Sequence, residues 1–492
     1  MREAYTVAAI RAGEEAAFAW TAEGELMDRA ATGLATVIAD RLARRRPEGT
    51  RGARVVLLAG PGNNGGDGLY AAAQLAAAGA TAQFWLADAR AHPGGLAALV
   101  EAGGTPVGGP DALEEALGRA DVVVDALLGI GGHAGLRGAM AQAAASVAAA
   151  RAGRPGAAPL VVAVDTPSGL AVDPPFAPLA GDDAAPHVTA DVTVTFGGLK
   201  LCHVLEPGRA ACGEVVPIDI GLTGLAPALR AWERADVAAA WPVPTAGDDK
   251  YARGVVGVDT GSARYPGAAV LSVLGALYGG AGFVRYAGDD AARAPLLVRA
   301  PSLTYGSGRV QAWVLGCGWD DQAFNHGRLA ARLADGVPCV LDATVLDLLP
   351  GWDEPLPPGC LLTPHAGELA RLLGTERAAV VADPLASARA AADRFGAAVL
   401  LKGATQVVAS PGEPVVDLAV PGPAWTAQAG SGDVLAGLAG TLLAAGLPAA
   451  EAAVLAASLQ AMAASRHPGP YPPDALARRL PRVIARLVRP QA

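Results

Sequence analysis

Short, uninterrupted apolar runs alternate along the chain with longer Ala- and Leu-rich stretches, and glycines or turn residues separate them. The runs include Arg54-Val-Val-Leu-Leu-Ala59, Ala120-Asp-Val-Val-Val-Asp125, Leu160-Val-Val-Ala-Val-Asp165 and Val192-Thr-Val-Thr-Phe196. A run this short and continuously apolar predicts a strand buried on both faces. Such strands alternating with helices predict α/β domains whose parallel sheets carry helices on both sides. The pattern lapses after Asp219-Ile-Gly-Leu222, where Thr223 to Thr245 holds three prolines and no clear strand. It restarts at Val255-Val-Gly-Val258 and runs through Val314-Leu-Gly316, Pro338-Cys-Val-Leu-Asp342, Ala398-Val-Leu-Leu-Lys402 and Gln406-Val-Val-Ala409. The expectation is two α/β domains in series, 1–222 and 236–492, with a linker over 223–235.

Composition narrows the function classes. With 52% hydrophobic and 17% charged residues among 492, the chain supports large packed cores and is not a disordered one. A net charge of -9 without a dominant basic patch argues against a nucleic-acid partner. The short run Arg41 to Arg46 fits the solvated end of a first helix. Five scattered cysteines, with no CxxC pair, predict neither a disulfide framework nor a zinc site, and they suit a reducing compartment. Arg2, Glu3, Arg11, Glu14 and Glu15 interrupt any signal-peptide core, and no apolar run is long enough for a membrane span. A soluble, cytoplasmic protein is expected.

The densest motif is Gly60-Pro-Gly-Asn-Asn-Gly-Gly-Asp-Gly68, between a strand and a helix. Five glycines in nine residues allow a tight turn and close approach to a ligand. Peptide N–H groups at the helix start favour an anion such as a pyrophosphate. The motif is neither a Walker loop nor a G-x-G-x-x-G fingerprint in its usual register. Two more loops, Asp125-Ala-Leu-Leu-Gly-Ile-Gly-Gly132 and Asp165-Thr-Pro-Ser-Gly-Leu170, also follow strands, at the edge where parallel sheets collect ligands. Asn64, Asp125 and Ser168 can therefore converge as hard oxygen ligands for a cation. Desolvation is expected to raise both Asp125 and Asp165 towards acid–base use, although each alone would serve equally as a helix N-cap.

These segments, with Val194-Thr-Phe-Gly197, Lys200, Pro207-Gly208 and Cys212-Gly-Glu-Val215, resemble the NAD(P)H-hydrate epimerase family over nearly all of 1–222. The resemblance implies a Rossmann-like fold, a bound potassium ion, and interconversion of R and S hydrates at nicotinamide C6. It implies that Asn64, Asp125 and Ser168 hold the potassium. Asn63, Asn64, Gly65, Gly66 and Asp67 would line the hydrate, together with Gly129, Ile130, Gly131, Gly132, His133, Ala134 and Gly135. Asp165 would lie beside it and shuttle the proton. Ala171 departs from the family, which usually has Asp after Ser-Gly-Leu.

In the second half, Gly430-Ser-Gly-Asp433 precedes the apolar stretch Val434 to Ala444. Small residues before a helix predict an anion hole for a phosphoryl group, and Asp433 can accept a proton from a substrate hydroxyl. Asp is also a common N-cap. Lys402-Gly-Ala-Thr405 follows a strand and suits a nucleotide phosphate. Thr363-Pro-His-Ala-Gly-Glu368, Gly261-Ser-Ala-Arg-Tyr-Pro-Gly-Ala268 and Gly279-Gly-Ala-Gly282 complete the set. It resembles the ADP/ATP-dependent NAD(P)H-hydrate dehydratase family, a ribokinase-like branch, from about Asp249 to Gly440.

That resemblance implies nucleotide-driven dehydration of the S hydrate, with ADP the usual co-substrate of bacterial members and ATP the other candidate. Lys402, Gly403, Ala404, Thr405 and Gly432 would contact the nucleotide. Ala268, Gly318, His365 and Asp433 would contact the hydrate, with Asp433 the general base. Nucleotide chemistry of this kind calls for Mg2+. Thr344, Gln428, Cys317 and Ala366 depart from the usual Asp, Thr, Pro and Pro. The expected partners are thus NAD(P)H hydrates and an adenine nucleotide, with the chain as a homo-oligomer. The alternative is a small-molecule kinase acting on a vitamin precursor, with an N-terminal ligand-binding or sensor domain.

Overall fold

The uninterrupted apolar runs form parallel strands. A computed structural model describes residues 1–154, 156–320 and 323–489. Its contacts separate into two units, Glu3–Ala228, and Leu229–Ala492 with Met1–Arg2.

The first unit holds a seven-stranded sheet ordered Thr105–Pro106, Thr81–Leu86, Arg54–Ala59, Val122–Ala126, Leu160–Val164, Val192–Phe196, Glu214–Ile218. Every neighbouring pair is parallel. Alternate residues face opposite sides. Val55, Leu57, Val122 and Val124 pack with Leu34, Ile38 and Leu69 from helices Glu23–Arg45 and Asn63–Ala77. Val56, Leu58, Val123 and Val161 pack with Leu113, Leu117 and Val147 from helices Pro110–Arg119 and Gly138–Ala152. Both faces are covered, which is why the strands lack polar alternation. The chain order reverses between Arg54–Ala59 and Val122–Ala126, so the loops leaving these two strands part and open a crevice. The arginines at the end of helix Glu23–Arg45 are exposed, as expected of a solvated terminus.

The second unit orders its strands Thr304–Tyr305, Phe283–Tyr286, Val255–Asp259, Ala312–Leu315, Cys339–Leu341, Leu361–Leu362, Ala398–Leu401, Val407–Ala409, Val416–Leu418, Leu229–Ala231. The first seven are parallel. Val407–Ala409 then runs antiparallel to both neighbours, a departure from the all-parallel expectation. The connections 402–406 and 410–415 are too short for a parallel crossover, which needs a dozen residues or more. Leu229–Ala231 lies in the stretch expected to be free of strands. It is a strand of three residues, fastened to Val416–Leu418 when Arg230 grips Asp417 through two hydrogen bonds of 2.9 Å. A pattern that short leaves no periodic signal.

Helix Ser431–Ala444 is buried from Val434 onward against helix Pro266–Tyr278. A Cβ at Gly437 would lie 1.9 Å from Ser272 O, so glycine lets the two helices approach. All five cysteines are buried and free. Among the described residues, no helix is long and apolar enough to cross a membrane.

Candidate active sites

In the crevice of the first unit the backbone is drawn tight. A Cβ at Gly60 would meet Leu127 O at 1.8 Å, and one at Gly65 would meet Gly60 O at 2.1 Å. The motif's glycines thus serve this closure as well as any ligand. Asn64, in the first turn of the following helix, donates to Val164 O at 3.1 Å and accepts from Gly129 N at 3.3 Å when its amide is oriented to satisfy both groups.

Asp125 ends its strand fully buried. Its Oδ1 accepts from Ser168 Oγ at 2.6 Å and Leu127 N at 3.3 Å, and its Oδ2 accepts from Ser168 N at 2.8 Å. All three donors are neutral. Burial dominates and pushes the carboxyl up to about 6. Asp125 and Ser168 are thereby joined, while Asn64 is held by Val164 O and the Gly129 N–H of the loop that follows Asp125. The loop Gly129–Gly135 is tied to the loop after Asp165, because Gly135 N donates to Gly169 O at 2.9 Å. His133 and Gly131 on that loop are exposed.

Asp165 departs from the expectation that desolvation would raise it. Burial does act upward, but the Lys200 ammonium against Oδ1 outweighs it and holds the carboxyl below its ordinary range. Lys200 is 1% exposed and also donates to Thr195 Oγ1 at 2.8 Å and Phe196 O at 2.7 Å. Thr195 Oγ1 and Phe196 N add hydrogen bonds to the same carboxylate oxygen, at 3.0 and 3.2 Å. His203 is pushed down to about 3 by burial, so its ring is neutral. Its Nδ1 accepts from Lys200 N at 3.0 Å, leaving Nε2 to donate to Asp165 O at 3.0 Å. Asp165 itself sits at φ +64°, a conformation L side chains rarely adopt, at the heart of the site.

Lys200 and His203 were not singled out as site residues from the sequence. The available signal was a lysine and a histidine inside the otherwise apolar stretch from Phe196 to Val204. Asp67, nearby, is 9% exposed, and burial followed by the charges of Asp165 and Glu14 raises its carboxyl well above the usual range.

The second unit gathers its loops at the carboxyl ends of its parallel strands. Ala268 and Gly318 touch there, since a Cβ on Gly318 would lie 2.4 Å from Ala268 Cβ. His365 is the N-cap of helix Ala366–Leu373, with Nδ1 accepting from Gly367 N and Glu368 N at 3.0 and 3.2 Å. In return the Glu368 carboxylate accepts from His365 N at 2.7 Å, closing a capping box. The residue is thus structural, yet it pairs with Lys402 across a parallel bridge and its ring is 56% exposed.

Lys402 Nζ donates to Asp342 Oδ1 at 2.6 Å. Thr363 Oγ1 donates to the same oxygen at 2.8 Å, and Cys317 Sγ reaches Oδ2 at 3.4 Å. A Cβ on Gly432 would lie 3.4 Å from Lys402 Nζ and 3.6 Å from Asp342 Oδ2. The start of helix Ser431–Ala444 is thereby placed against Lys402. Gly430, at φ +90°, is the N-cap, so Asp433 lies inside the first turn and is not the cap. Burial, then the Asp342 charge, push the Asp433 carboxyl up to about 7, against the pull of Lys402. Asp342 is brought down instead, because Lys402 outweighs its burial. Gly403 and Ala404 are exposed beside this site.

Asp342 was missed as a site residue, although like Asp125 and Asp165 it follows an apolar strand. The residues that depart from the family are integrated. Thr344 Oγ1 donates to Trp319 O at 2.7 Å, Gln428 Nε2 donates to Trp425 O at 2.6 Å and Tyr471 O at 3.1 Å, and Cys317 bonds Asp342.

Two α/β units, each with paired aspartates and a lysine at the carboxyl edge of its sheet, define a two-site α/β enzyme. The chain belongs to the bifunctional NAD(P)H-hydrate repair enzyme family, and its function is the repair of hydrated NADH and NADPH. Residues 23–202 match the family described as YjeF-related protein N-terminus, and 256–485 match NAD(P)H-hydrate dehydratase. The bifunctional NAD(P)H-hydrate repair enzyme Nnr of Mycobacterium leprae is 44% identical over 481 residues, covering 96% of each chain. The enzyme of the same name from Corynebacterium glutamicum is 34% identical over 519 residues, covering 90% of this chain and 87% of its own. A crystal structure of ADP/ATP-dependent NAD(P)H-hydrate dehydratase from Bacillus subtilis, co-crystallized with ATP/Mg2+, is 24% identical with a TM-score of 0.49, covering 53% of this chain and 99% of its own.

Proposed function

We propose that the first unit epimerises R and S NAD(P)H hydrates at nicotinamide C6, and that the second dehydrates the S form at the expense of ADP or ATP. In these terms residues 1–222 are the epimerase domain, 236–492 the dehydratase domain, and 223–235 the connection. The observation that carries the reading is the approach of Gly432 and Asp433, at a helix start, to the Lys402 ammonium. It joins a cationic anion site to a carboxyl with a pKa of about 7, the two parts that phosphoryl transfer to a hydroxyl requires.

On this proposal Asp433 takes the proton of the C6 hydroxyl as its oxygen attacks the terminal phosphorus of the nucleotide. The phosphate of the resulting ester leaves C6 with the C–O electron pair, helped by the ring-nitrogen lone pair, and transfer of the C5 proton to solvent or the departing phosphate forms the C5=C6 double bond. Lys402, Gly403, Ala404, Thr405 and Gly432 hold the nucleotide; Ala268, Gly318 and His365 position the hydrate. Mg2+ accompanying the nucleotide supplies charge neutralisation.

In the first unit Asp165, kept ionised by Lys200, handles the proton of water at C6. Asn63 to Asp67 and the loop Gly129–Gly135 line the ring. Asn64, Asp125 and Ser168 fit a potassium ion, because the Asp125 carboxylate is buried among neutral donors and has no basic partner among the described residues. That ion would supply a fixed positive charge at the crevice. We also propose a cytoplasmic homo-oligomer, for which the buried free thiols suit a reducing compartment.

The test uses purified protein and mixed R and S NADH hydrates with Mg2+, potassium or sodium, and ADP or ATP in turn, following reduced-nicotinamide absorbance. Full recovery is expected with one nucleotide, faster in potassium. Recovery of the S portion alone removes the epimerase assignment. No recovery with either nucleotide removes the dehydratase assignment.

A further inference from the structure

The first unit contains one buried carboxyl whose surroundings are unlike those of its neighbours. Asp125 is held by Ser168, and Asp165 by Lys200. Asp67 is 9% exposed and makes no hydrogen bond or ion pair with any described residue. Its carboxyl oxygens still reach solvent, so they can meet a ligand that enters the crevice. Its partner is left to come from outside the chain.

The charged groups that act on Asp67 come from three elements. Glu14 lies on helix Val7–Ala17, Asp165 follows strand Leu160–Val164, and Lys200 lies on strand Leu199–Lys200. Two are acidic. The single base gives its hydrogens to Asp165, Thr195 and Phe196 O, and none to Asp67. Burial and the two acidic neighbours favour the protonated form of Asp67 against the weaker pull of Lys200, while Lys200 holds Asp165 ionised.

The two aspartates also flank the crevice. The helix bearing Asp67 follows strand Arg54–Ala59, Asp165 follows strand Leu160–Val164, and Val122–Ala126 runs between them. Two strand spacings of about 4.8 Å leave room for a flat ring with one carboxyl group on either face.

We infer that Asp67 is a second catalytic residue of the epimerase, donating a proton to the departing C6 hydroxyl on the ring face opposite Asp165. The inference rests on the function proposed for the first unit. The hydroxyl oxygen takes the Asp67 proton and leaves as water with the C–O electron pair, while the ring-nitrogen lone pair forms the N1=C6 bond. Water then adds to the other face of C6, the N1=C6 pair returns to nitrogen, and the water proton passes to Asp165. The opposite epimer runs the same steps backwards, with Asp165 as donor and Asp67 as acceptor, and between turnovers in one direction Asp165 loses its proton to solvent and Asp67 regains one from it.

The experiment measures exchange between separated R and S hydrates, without nucleotide, in the full-length protein, with the spontaneous rate subtracted. Asp67→Asn keeps the shape but carries no acidic proton, and its kcat is expected to fall about 10²- to 10⁴-fold with KM little changed. Asp67→Ala leaves space, and added formate is expected to restore part of its rate but none of that of Asp67→Asn. Melting temperatures no lower than wild type establish folding. A kcat for Asp67→Asn near wild type, a loss confined to KM, or an Asp67→Ala enzyme deaf to formate each overturns the proposal. Asp165→Asn separates the two levels. If it is slow while Asp67→Asn is fast, only the role of Asp67 falls; if wild type itself does not epimerise, the function proposed for the unit falls.

Discussion

Lys200 in the first unit and Lys402 in the second each face a buried aspartate, Asp165 and Asp342, and each holds that carboxyl below its ordinary range against the effect of burial. Each pair has a further aspartate beside it that burial raises, Asp67 in one unit and Asp433 in the other. The lysines differ in what else they meet. Lys200 is 1% exposed and donates to a carboxylate, a hydroxyl and a carbonyl, so its donors are satisfied by the protein. Among the described residues the Lys402 side chain, 19% exposed, makes one hydrogen bond, to Asp342, and a looser ion pair with Glu368 at 3.9 Å. A lysine with its donors fully engaged fixes the charge of its neighbour; a lysine with donors remaining can meet a phosphate. On the function proposed above, the same pair of residue types would position a base in one site and bind an anion in the other.

The sharpest way to break this comparison is at the carboxyls without a lysine of their own. Asp433→Asn is expected to lower nucleotide-dependent dehydration by about 10³-fold, within the range for loss of a general base. Epimerisation of the same hydrates should persist, as read by R-to-S exchange; parallel loss of both would mean the two sites are not separable.

Exchanging the lysines for methionine should come next. Lys200→Met leaves the Asp165 charge buried without a partner and is expected to cost about 3–5 kcal/mol in denaturant unfolding. Lys402→Met also leaves a buried carboxylate, Asp342, without its lysine, but in addition should raise the nucleotide KM by about tenfold or more through loss of a charge-assisted hydrogen bond of about 1.5–3 kcal/mol. An unchanged nucleotide KM would erase the distinction.

The smallest effect concerns pH. A general base must be ionised, so kcat/KM of dehydration should fall as pH drops through the Asp433 pKa of about 7. Removing the like charge in Asp342→Asn should move this acid limb to lower pH. An unmoved limb would assign it to another group.

Much of the fold was legible because both faces of each sheet are buried, and continuous Val/Leu runs follow directly from that. The hairpin of Val407–Ala409 and Val416–Leu418 was not, because strand direction depends on connection length and not on strand composition. The loops at Gly60–Gly68, Asp125–Gly132 and Gly430–Asp433 were legible because tight backbone approach restricts residue type. His365 was legible as a site residue only through resemblance; its cap is local chemistry that any helix could use.

By itself, then, the sequence determined the strand–helix order, the glycine loops and the supply of aspartates after apolar strands. Tertiary structure decided the charge each aspartate carries. Asp125 and Asp165 end neighbouring strands in similar apolar settings, yet one is raised and the other lowered. The difference lies in Lys200, distant from Asp165 in sequence, whose ammonium only the folded chain brings to that carboxylate. Charge acts through space, so its partners are set by the fold and not by adjacency along the chain.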